Sequence, residues 1–364
     1  MYLKHISINN FKNIEHADLQ FSENLNCFVG NNGEGKTNLL DAIYYLSITK
    51  SFFNSTDRQN IRHNENYFIL QGNFVRNENE EKIYCGVQKT GEKIFKRNDK
   101  QYPRFADHLG LIPVVMISPT DILLINDSGD DRRRYINSVI SQLDLIYLEN
   151  IMKYNRVLMQ RNKLLKESRI EKDIISVLNE QLNTCAQIIY SKRKQFIEQI
   201  QPYFTKVYEQ ISNGCEEVSI TYKSDLNDGN FIDILEQSFE KDRIMQHTTT
   251  GIHRDTITMK MNDYHIKKIG SQGQQKTFLI ALKLTQFRFL KDQTNISPIL
   301  LLDDIFDKLD LNRVEHLISL VAGSDFGQIF ITDSNKTRLD KILSQQKESF
   351  SLFNVEKGKI TKSE

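Results

Sequence analysis

Alternating polar and apolar residues at the start of the chain predict β-strands. Residues 3–8 alternate in this way, and residues 17–21 predict a second strand. Residues 25–29 form an apolar run that is short enough for a buried strand, and the apolar spacing of residues 38–46 is typical of a helix. The pattern therefore predicts a half-buried strand and a second strand, followed by a buried strand and a helix.

The next hundred residues change from strand patterns to helical ones. Residues 66–100 predict an antiparallel meander, and the β-branched residues of 111–117 predict a buried strand. From residue 132 to about residue 204 the apolar positions follow a helical period, with almost no glycine or proline. This pattern predicts an inserted domain of two or three antiparallel helices.

Strand patterns return after the helical region. Residues 218–223 and 257–261 predict strands, and residues 277–290 predict a strongly apolar helix. Four consecutive aliphatic residues at 299–302 indicate a central parallel strand. A further strand at 328–333 precedes a predicted hairpin whose arms are 351–355 and 359–360.

The length and composition indicate an ordinary protein with more than one folding unit. The 364 residues exceed the usual size of a single domain, while 39% hydrophobic and 26% charged residues are typical of a protein without membrane spans. The first residues lack the form of a signal peptide, so we expect the cytoplasm. The four cysteines are scattered, which favours free thiols over disulfides or a zinc site.

The strongest chemical signal lies between the buried strand and the helix at 38–46. The segment fits the phosphate-binding loop G-x-x-x-x-G-K-T and consists of Gly30, Asn31, Asn32, Gly33, Glu34, Gly35, Lys36 and Thr37. Its glycines let backbone N–H groups turn toward an anion. Lys36 is expected to reach the β- and γ-phosphates of ATP, and Thr37 is expected to bind Mg²⁺. The alternative interpretation is a glycine-rich turn before a helix.

Two acids follow the central strand at 299–302. Asp303 is expected to hold Mg²⁺, and Asp304 is expected to orient or deprotonate the attacking water. The carboxyl ends of parallel strands line the nucleotide crevice in α/β folds, which places both acids near the phosphate loop. The alternative is a buried strand that ends in a helix cap.

A serine, glycine and glutamine cluster precedes the predicted helix at 277–290. Ser271, Gly273 and Gln274 could present a hydroxyl, backbone donors and a helix dipole to an anion. Simple N-capping of the helix explains the same residues. The cluster becomes informative only together with the phosphate loop.

Basic residues are concentrated in the helical region, although the net charge of the whole chain is only +1. Two runs are candidates for contacts to DNA phosphates: Arg132, Arg133 and Arg134, and Lys192, Arg193 and Lys194. The alternative is an ordinary solvated face. His253 and Arg254 also have two interpretations: they form a hydrogen-bonded turn, or they face a ligand.

Several motifs in a fixed order extend the signal over nearly the whole chain. They lie at residues 10–13, 30–37, 117–121 with 132–135, 251–255, 271–276, and 302–304 with 309–310. This set resembles the RecF family, the SMC-like ABC-type ATPases of bacterial recombinational repair. The resemblance implies an α/β ATPase head, with a mixed sheet, flanking helices and an antiparallel β lobe, and an inserted helical lid. We expect the head at 1–121 and 246–364 and the lid at 122–245.

The resemblance also implies a mechanism. ATP and Mg²⁺ would be held between the two heads of a homodimer, with residues 30–37, Asp303 and Asp304 acting on the nucleotide of their own chain. Ser271 and Gly273 would touch the γ-phosphate bound by the partner subunit, and Asp310 would lie at the dimer seam. The dimer would bind double-stranded DNA and junctions of single- and double-stranded DNA, and would help RecR and RecO to load RecA at gapped DNA.

The sequence departs from the family pattern at a few positions. Ile252 stands where proline is usual, Lys308 replaces a common glutamate, and Thr332 and Asp333 occupy the place of the switch histidine of many ABC ATPases. The last change is consistent with a slow ATPase, and the enzyme hypothesis is a weak ATPase that DNA stimulates. Two alternatives follow: a binding module that uses ATP as a latch with negligible hydrolysis, and the less favoured ATPase subunit of a transporter.

Overall fold

The chain divides into two compact units, one of which is inserted in the other. A computed structural model describes residues 1–126, 129–167, 171–212, 214, 216–227, 229–306, 317, 326–337 and 350–363. The first unit comprises Met1–Asp121 and Lys276–Glu364, and the second comprises Ile122–Gln275. Both ends of the chain therefore build the first unit.

The helices and strands are numbered in chain order. Before the insertion come β1 (Tyr2–Phe11), β2 (Ile14–Gln20), β3 (Leu25–Val29), α1 (Lys36–Ile48), β4 (Tyr67–Arg76), β5 (Asn79–Gln88), β6 (Lys93–Arg97), β7 (Lys100–Gln101) and β8 (Val114–Ile117). The second unit contains α2 (Leu123–Asn126), α3 (Gly129–Leu143), α4 (Leu145–Leu164), α5 (Lys172–Ser212), β9 (Val218–Lys223), α6 (Phe231–Gln237), α7 (Phe239–Met245), β10 (Thr256–Met261), β11 (Tyr264–His265) and α8 (Ile266–Ile269). Then follow α9 (Gln272–Thr294), β12 (Ile299–Asp303), β13 (Ile329–Asp333), β14 (Phe350–Glu356) and β15 (Lys359–Lys362).

One sheet of the first unit positions the candidate site. Its strand order is β15-β14-β3-β13-β12-β8, and all neighbours are parallel except the hairpin of β14 and β15. Every residue of β3, β12 and β13 is buried, as expected for strands that are covered on both faces. The register pairs Asp303 with Thr332 and Asp333 with Val29. The carboxyl ends of β3, β13 and β12 therefore lie side by side.

The second sheet of this unit is antiparallel. Its order is β2-β1-β4-β5-β6-β7, and the meander predicted for residues 66–100 corresponds to β4–β7. Inward-facing residues of β1 and β4 share one hydrophobic core with Leu39, Ile43 and Leu46 of α1. This shared core fixes α1, and with it the loop that precedes it.

Antiparallel helices and a small sheet form the second unit. Arg161 of α4 donates to the Asn179 side chain of α5 at 2.8 Å, and Arg193 of α5 donates to the Tyr147 hydroxyl of α4 at 3.0 Å, so the two helices run in opposite directions. The strand order of the sheet is β11-β10-β9. Among the described residues, no helix is both long enough and apolar enough to cross a membrane.

The end of the second unit differs from the predicted lid boundary. The prediction ended the lid at residue 245, whereas residues through Gln275 belong to this unit. The reason is strand pairing, because β10 pairs with β9 from Thr256 opposite Lys223 to Met261 opposite Val218. Although Lys223 and Thr256 are 33 positions apart in sequence, their strands pair in one sheet, and both strands therefore belong to the second unit.

Candidate nucleotide-binding site

The loop between β3 and α1 has the backbone of an anion site. Gly35 is the N-cap residue of α1 with φ 113° and no side-chain cap, so the first N–H groups of the helix receive no side-chain acceptor from it. A Cβ at Gly35 would lie 2.6 Å from the Asn13 amide oxygen, and Gly33 also has a positive φ of 85°. Asn31, Asn32 and Gly33 are exposed. Unused donors at a helix start, beside an open loop, can bind phosphate.

Residues far away in sequence brace this loop. The Glu34 carbonyl accepts from the Asn13 amide at 3.1 Å and from the Gly358 N–H at 2.8 Å. The Asn38 amide donates to the Asn13 side chain at 2.7 Å, and the Lys357 N–H donates to the Glu34 carboxylate. The carboxy-terminal hairpin and the turn after β1 therefore fix the loop. The sequence placed Gly358 in the turn of the predicted hairpin, but it gave no signal that this turn contacts the phosphate loop.

Lys36 lies folded back on the loop. Its Nζ donates to the carbonyls of Gly30 at 2.6 Å and Asn31 at 2.9 Å. Burial lowers the pKa of Lys36, and the nearby carboxylates of Asp304 and Asp303 act in the opposite direction. A buried ammonium held only by carbonyl oxygens can exchange them for phosphate oxygens.

Thr37 and Asp303 converge from α1 and β12. The Thr37 hydroxyl lies 2.9 Å from both carboxylate oxygens of Asp303, and the Thr332 hydroxyl donates to Asp303 Oδ1 at 2.7 Å. Burial raises the pKa of Asp303, while the hydrogen bonds from Thr332 and Thr37 oppose that shift. These two predicted residues are 266 positions apart in sequence, and the sheet brings them into contact.

The donor set of this pair fits Mg²⁺. A hydroxyl and a carboxylate are hard oxygen ligands, and Mg²⁺ takes only one or two protein ligands when phosphates and waters supply the others. In the described part of the chain, no group of three or more His, Cys, Asp or Glu side chains could hold a metal ion. Thr37 and Asp303 could therefore hold Mg²⁺ only together with a phosphate ligand and water.

Asp304 has an unusual backbone at the end of β12. Its φ is 47°, in the left-handed region that non-glycine residues rarely adopt. Its N–H donates to the Thr332 carbonyl at 3.2 Å and to the Thr332 hydroxyl at 3.1 Å. Strained residues held in this way are frequent at functional sites.

The Ser271 cluster forms a capping box at the start of α9. The Ser271 hydroxyl accepts from the Gln274 N–H at 3.2 Å, and the Ser271 N–H donates to the Gln274 side chain at 2.8 Å. The Gln274 amide also donates to Glu216 at 2.9 Å. Ser271 itself is exposed. The capping interpretation of these residues therefore holds, and it leaves the serine accessible.

Arg193 does not face solvent, so its prediction as a DNA contact is wrong. The side chain is 2% exposed and donates to Asp255 Oδ2 at 2.7 Å, to the Ile252 carbonyl at 2.8 Å and to the Tyr147 hydroxyl at 3.0 Å. A guanidinium that is enclosed in this way holds the second unit together and cannot reach a DNA phosphate.

The other five basic candidates differ in accessibility. Arg132 donates to the carbonyls of Leu124, Ile125 and Ile257, and Arg133 donates to the carbonyl of Asp255. These two arginines mainly link segments of the second unit. The accessible candidates are Arg134 beside Asp131, Lys192 beside Asp144, and Lys194.

His253 is part of a hydrogen-bonded turn. Its ring nitrogens pair with the Tyr154 hydroxyl at 2.9 Å and the Thr248 carbonyl at 3.0 Å. Burial lowers the pKa of His253 to about 4, so the ring is neutral at pH 7. Arg254 is exposed, whereas Lys308 and Asp310 lie outside the described residues.

Comparisons with known proteins agree along the whole chain. Residues 2–361 match the family model RecF/RecN/SMC N terminal domain. The chain is 48% identical over 364 residues to the DNA replication and repair protein RecF of Phocaeicola vulgatus, covering 99% of this chain and 98% of the relative. It is 49% identical over 362 residues to the protein of the same name from Bacteroides thetaiotaomicron, with the same shares of the two chains covered.

Solved structures give the same result for the fold. A structure described as the recombination mediator protein RecF-ATP in the RecFOR pathway matches with a TM-score of 0.89 and 30% identity, covering 100% of this chain and 98% of that one. A Smc head domain from Pyrococcus furiosus matches with a TM-score of 0.58 and 17% identity, covering 100% of this chain and 96% of that one, which shows the fold alone. The predicted α/β ATPase-head fold is confirmed.

Proposed function

Because the chain belongs to the RecF/RecN/SMC N terminal domain family, and within it to the RecF proteins, we propose that it binds and hydrolyses ATP in DNA replication and repair. The observation that carries the proposal is the contact of Thr37 with both carboxylate oxygens of Asp303 at 2.9 Å. It joins the phosphate loop to the acids of a different strand, which a glycine-rich turn alone would not require.

Each residue of the site has a proposed role. The backbone of residues 30–37 holds the phosphates, Lys36 binds the β- and γ-phosphates, and Thr37 with Asp303 holds Mg²⁺. When bound, Mg²⁺ neutralises phosphate charge during phosphoryl transfer. Asp304 orients the attacking water and accepts its proton.

The proposed active form is a homodimer gated by ATP. Ser271, Gly273 and Gln274 of a second copy complete the site at the γ-phosphate. The capping box supports this assignment, because the Ser271 oxygen accepts from Gln274 and its own proton remains to be donated. The phosphate loop would then be half of a composite site.

The proposed partners are double-stranded DNA, junctions of single- and double-stranded DNA, and RecR with RecO and RecA. The names of the relatives and the RecFOR pathway of the matching structure support this. Arg134, Lys192 and Lys194 are the proposed phosphate contacts. If Lys194 contacts a phosphate, Lys194→Ala lowers the slope of log affinity against log salt by about one. An unchanged slope would remove Lys194 from the DNA surface.

Asp304→Asn tests the enzymatic role. Asparagine tolerates the left-handed backbone, so the variant should fold. We expect ATP turnover to be lost while ATP binding and DNA binding persist or tighten, measured by phosphate release and by fluorescence titration. Unchanged turnover would mean that Asp304 is not the catalytic carboxylate.

The ATP-latched binding module is the second candidate. It is favoured by Asp333, an acidic side chain that is 1% exposed at the position where many ABC ATPases have the switch histidine. In this case the wild-type protein would dimerise with ATP but release no phosphate. Asp304→Asn would then bind DNA as the wild-type protein does.

A further inference from the structure

Thr332 connects the two acids at the end of β12. Its side chain is fully buried at the end of β13, directly opposite Asp303 in the sheet register. The hydroxyl donates to Asp303 Oδ1 at 2.7 Å and accepts from the Asp304 N–H at 3.1 Å. One side chain therefore contacts both the proposed Mg²⁺ ligand and the backbone of the proposed catalytic acid.

A hydroxyl is the group that can make both contacts. It has one donor hydrogen and two acceptor lone pairs, whereas the isosteric side chain of valine has neither. The bond from Thr332 occupies Asp303 Oδ1 on one side, while the Thr37 hydroxyl lies 2.9 Å from both carboxylate oxygens. The carboxylate is therefore held between the hydroxyls of Thr332 and Thr37.

The second contact concerns the backbone of Asp304. Its φ of 47° is a conformation that L-residues rarely adopt. The Asp304 N–H is shared between the Thr332 carbonyl and hydroxyl. The carbonyl contact extends the sheet and does not depend on the side chain, so the hydroxyl is the part that is specific to threonine or serine.

We propose that Thr332 is a positioning residue, which orients the Asp303 carboxylate toward Mg²⁺ and fixes the direction in which the Asp304 side chain leaves β12. This inference rests on the proposed ATPase function and assigns a role to the residue before Asp333. The Thr332 side chain is fully buried, and in this proposal it acts only through the two acids.

The test compares variants with and without the hydroxyl. Thr332→Val and Thr332→Ala remove it, and Thr332→Ser keeps it. Thr285→Val is a matched control, because Thr285 is also fully buried in the first unit and its hydroxyl has no hydrogen-bond partner among the described residues. Thermal unfolding first establishes which variants fold. If the valine variant does not fold, the alanine variant replaces it.

Binding of a fluorescent ATP analogue, measured in EDTA and in a Mg²⁺ titration, is the primary readout. For Thr332→Val we expect unchanged ATP affinity in EDTA. The increase in ATP affinity that Mg²⁺ produces should be about 10- to 100-fold smaller than in the wild-type protein, as for a lost hydrogen bond to a charged group. The kcat of ATP hydrolysis should fall together with this increase. Thr332→Ser and Thr285→Val should remain within about threefold of the wild-type protein in both measurements.

Two results would overturn the inference. One is a Mg²⁺-dependent gain in Thr332→Val, or in the alanine variant, that equals that of the wild-type protein. The other is a serine variant that is as impaired as the valine variant. A wild-type protein that binds no ATP would instead contradict the proposed function.

Discussion

Buried charges in two regions of this molecule have different partners. In the second unit Arg193 pairs with Asp255 and Arg161 pairs with Asp242, each at 2.7 Å and at most 2% exposed. At the end of β12 in the first unit, Asp303 is 4% exposed and accepts from the Thr37 and Thr332 hydroxyls. Lys36, 6% exposed, donates to carbonyls.

This difference separates structure from function. Among the described residues, neither Lys36 nor Asp303 is within 4.0 Å of an oppositely charged group. When a buried charge is paired, removal of its partner strongly lowers the free energy of unfolding. A buried charge held by neutral groups can still receive an ionic ligand. The comparison therefore supports a structural role for the two arginines and is consistent with the proposal that the site in the first unit binds phosphate and Mg²⁺.

The largest expected effect is the loss of Arg193. Arg193→Ala leaves Asp255 buried without its cation, and this should lower the free energy of unfolding of the second unit by about 3–5 kcal/mol. Urea unfolding followed by circular dichroism measures it. The neighbouring exposed Lys194 provides the control, since Lys194→Ala should change stability by less than about 0.5 kcal/mol. If Arg193→Ala and Lys194→Ala changed the free energy of unfolding equally, the structural role of Arg193 would be contradicted.

A lower pH is expected to reduce the free energy of unfolding by a smaller amount, through His108. His108 of the first unit is fully buried, and its ring pairs with the Leu46 carbonyl at 2.8 Å and the Tyr102 hydroxyl at 3.1 Å. Burial, and to a smaller extent the charge of Arg97, lower the pKa of His108 to about 4, and the hydrogen bond to Leu46 opposes this. The ring is therefore neutral in the folded protein at pH 5, but protonated in the unfolded chain.

The direction of the pH effect follows from the pKa of His108, which is 6.5 for the free side chain and about 4 in the folded protein. The contribution of His108 is complete above about pH 6.5 and is lost as the pH falls toward 4. Between pH 7 and pH 5 the free energy of unfolding should fall by about 2 kcal/mol because of this group. Urea unfolding at both values, in the wild-type protein and in His108→Gln, isolates the effect. An equally steep pH dependence in His108→Gln would exclude His108 as its source.

The smallest expected effect concerns the brace of the phosphate loop. Gly358 has φ 79°, and a Cβ there would lie 2.3 Å from the Asn13 carbonyl oxygen. Gly358→Ala should displace the hairpin from the loop and weaken ATP binding by about tenfold, or about 1.4 kcal/mol. Binding of a fluorescent ATP analogue measures this directly.

Gly91→Ala is the matched control for that variant. Gly91 has φ 104°, but the nearest atom to its Cβ position is Arg58 Nη2 at 3.8 Å. It therefore carries similar backbone strain without the clash, and its ATP affinity should remain within about twofold of wild type. If both variants bind ATP equally well, the hairpin does not support the loop.

The sequence predicted the parts of the site that depend on local order. Residues 30–37, and Asp303 with Asp304 after four aliphatic residues, are recognisable because spacing along the chain determines their geometry. Thr332 and Gly358 act on residues 29 and 324 positions away, through sheet register and a hairpin. Such contacts leave no local pattern.

At the basic run 192–194 the sequence predicted a role that one of the three residues does not have. Three consecutive cations predict a charged surface, yet consecutive helical residues point in directions about 100° apart. Lys192 and Lys194 reach solvent, while Arg193 is directed into the unit toward Asp255. Neither the charge nor the spacing distinguished the three residues. The acid that pairs with Arg193 lies 62 positions later.

Sizing of the protein in solution tests the central claim most directly. Light scattering would be recorded without nucleotide, with ATP and Mg²⁺, and with ATP and Mg²⁺ for Lys36→Ala. We predict a change from the mass of one chain to that of two when ATP binds to the wild-type protein, and no change for Lys36→Ala. A wild-type protein that is saturated with ATP and Mg²⁺ but keeps the mass of one chain would contradict the account.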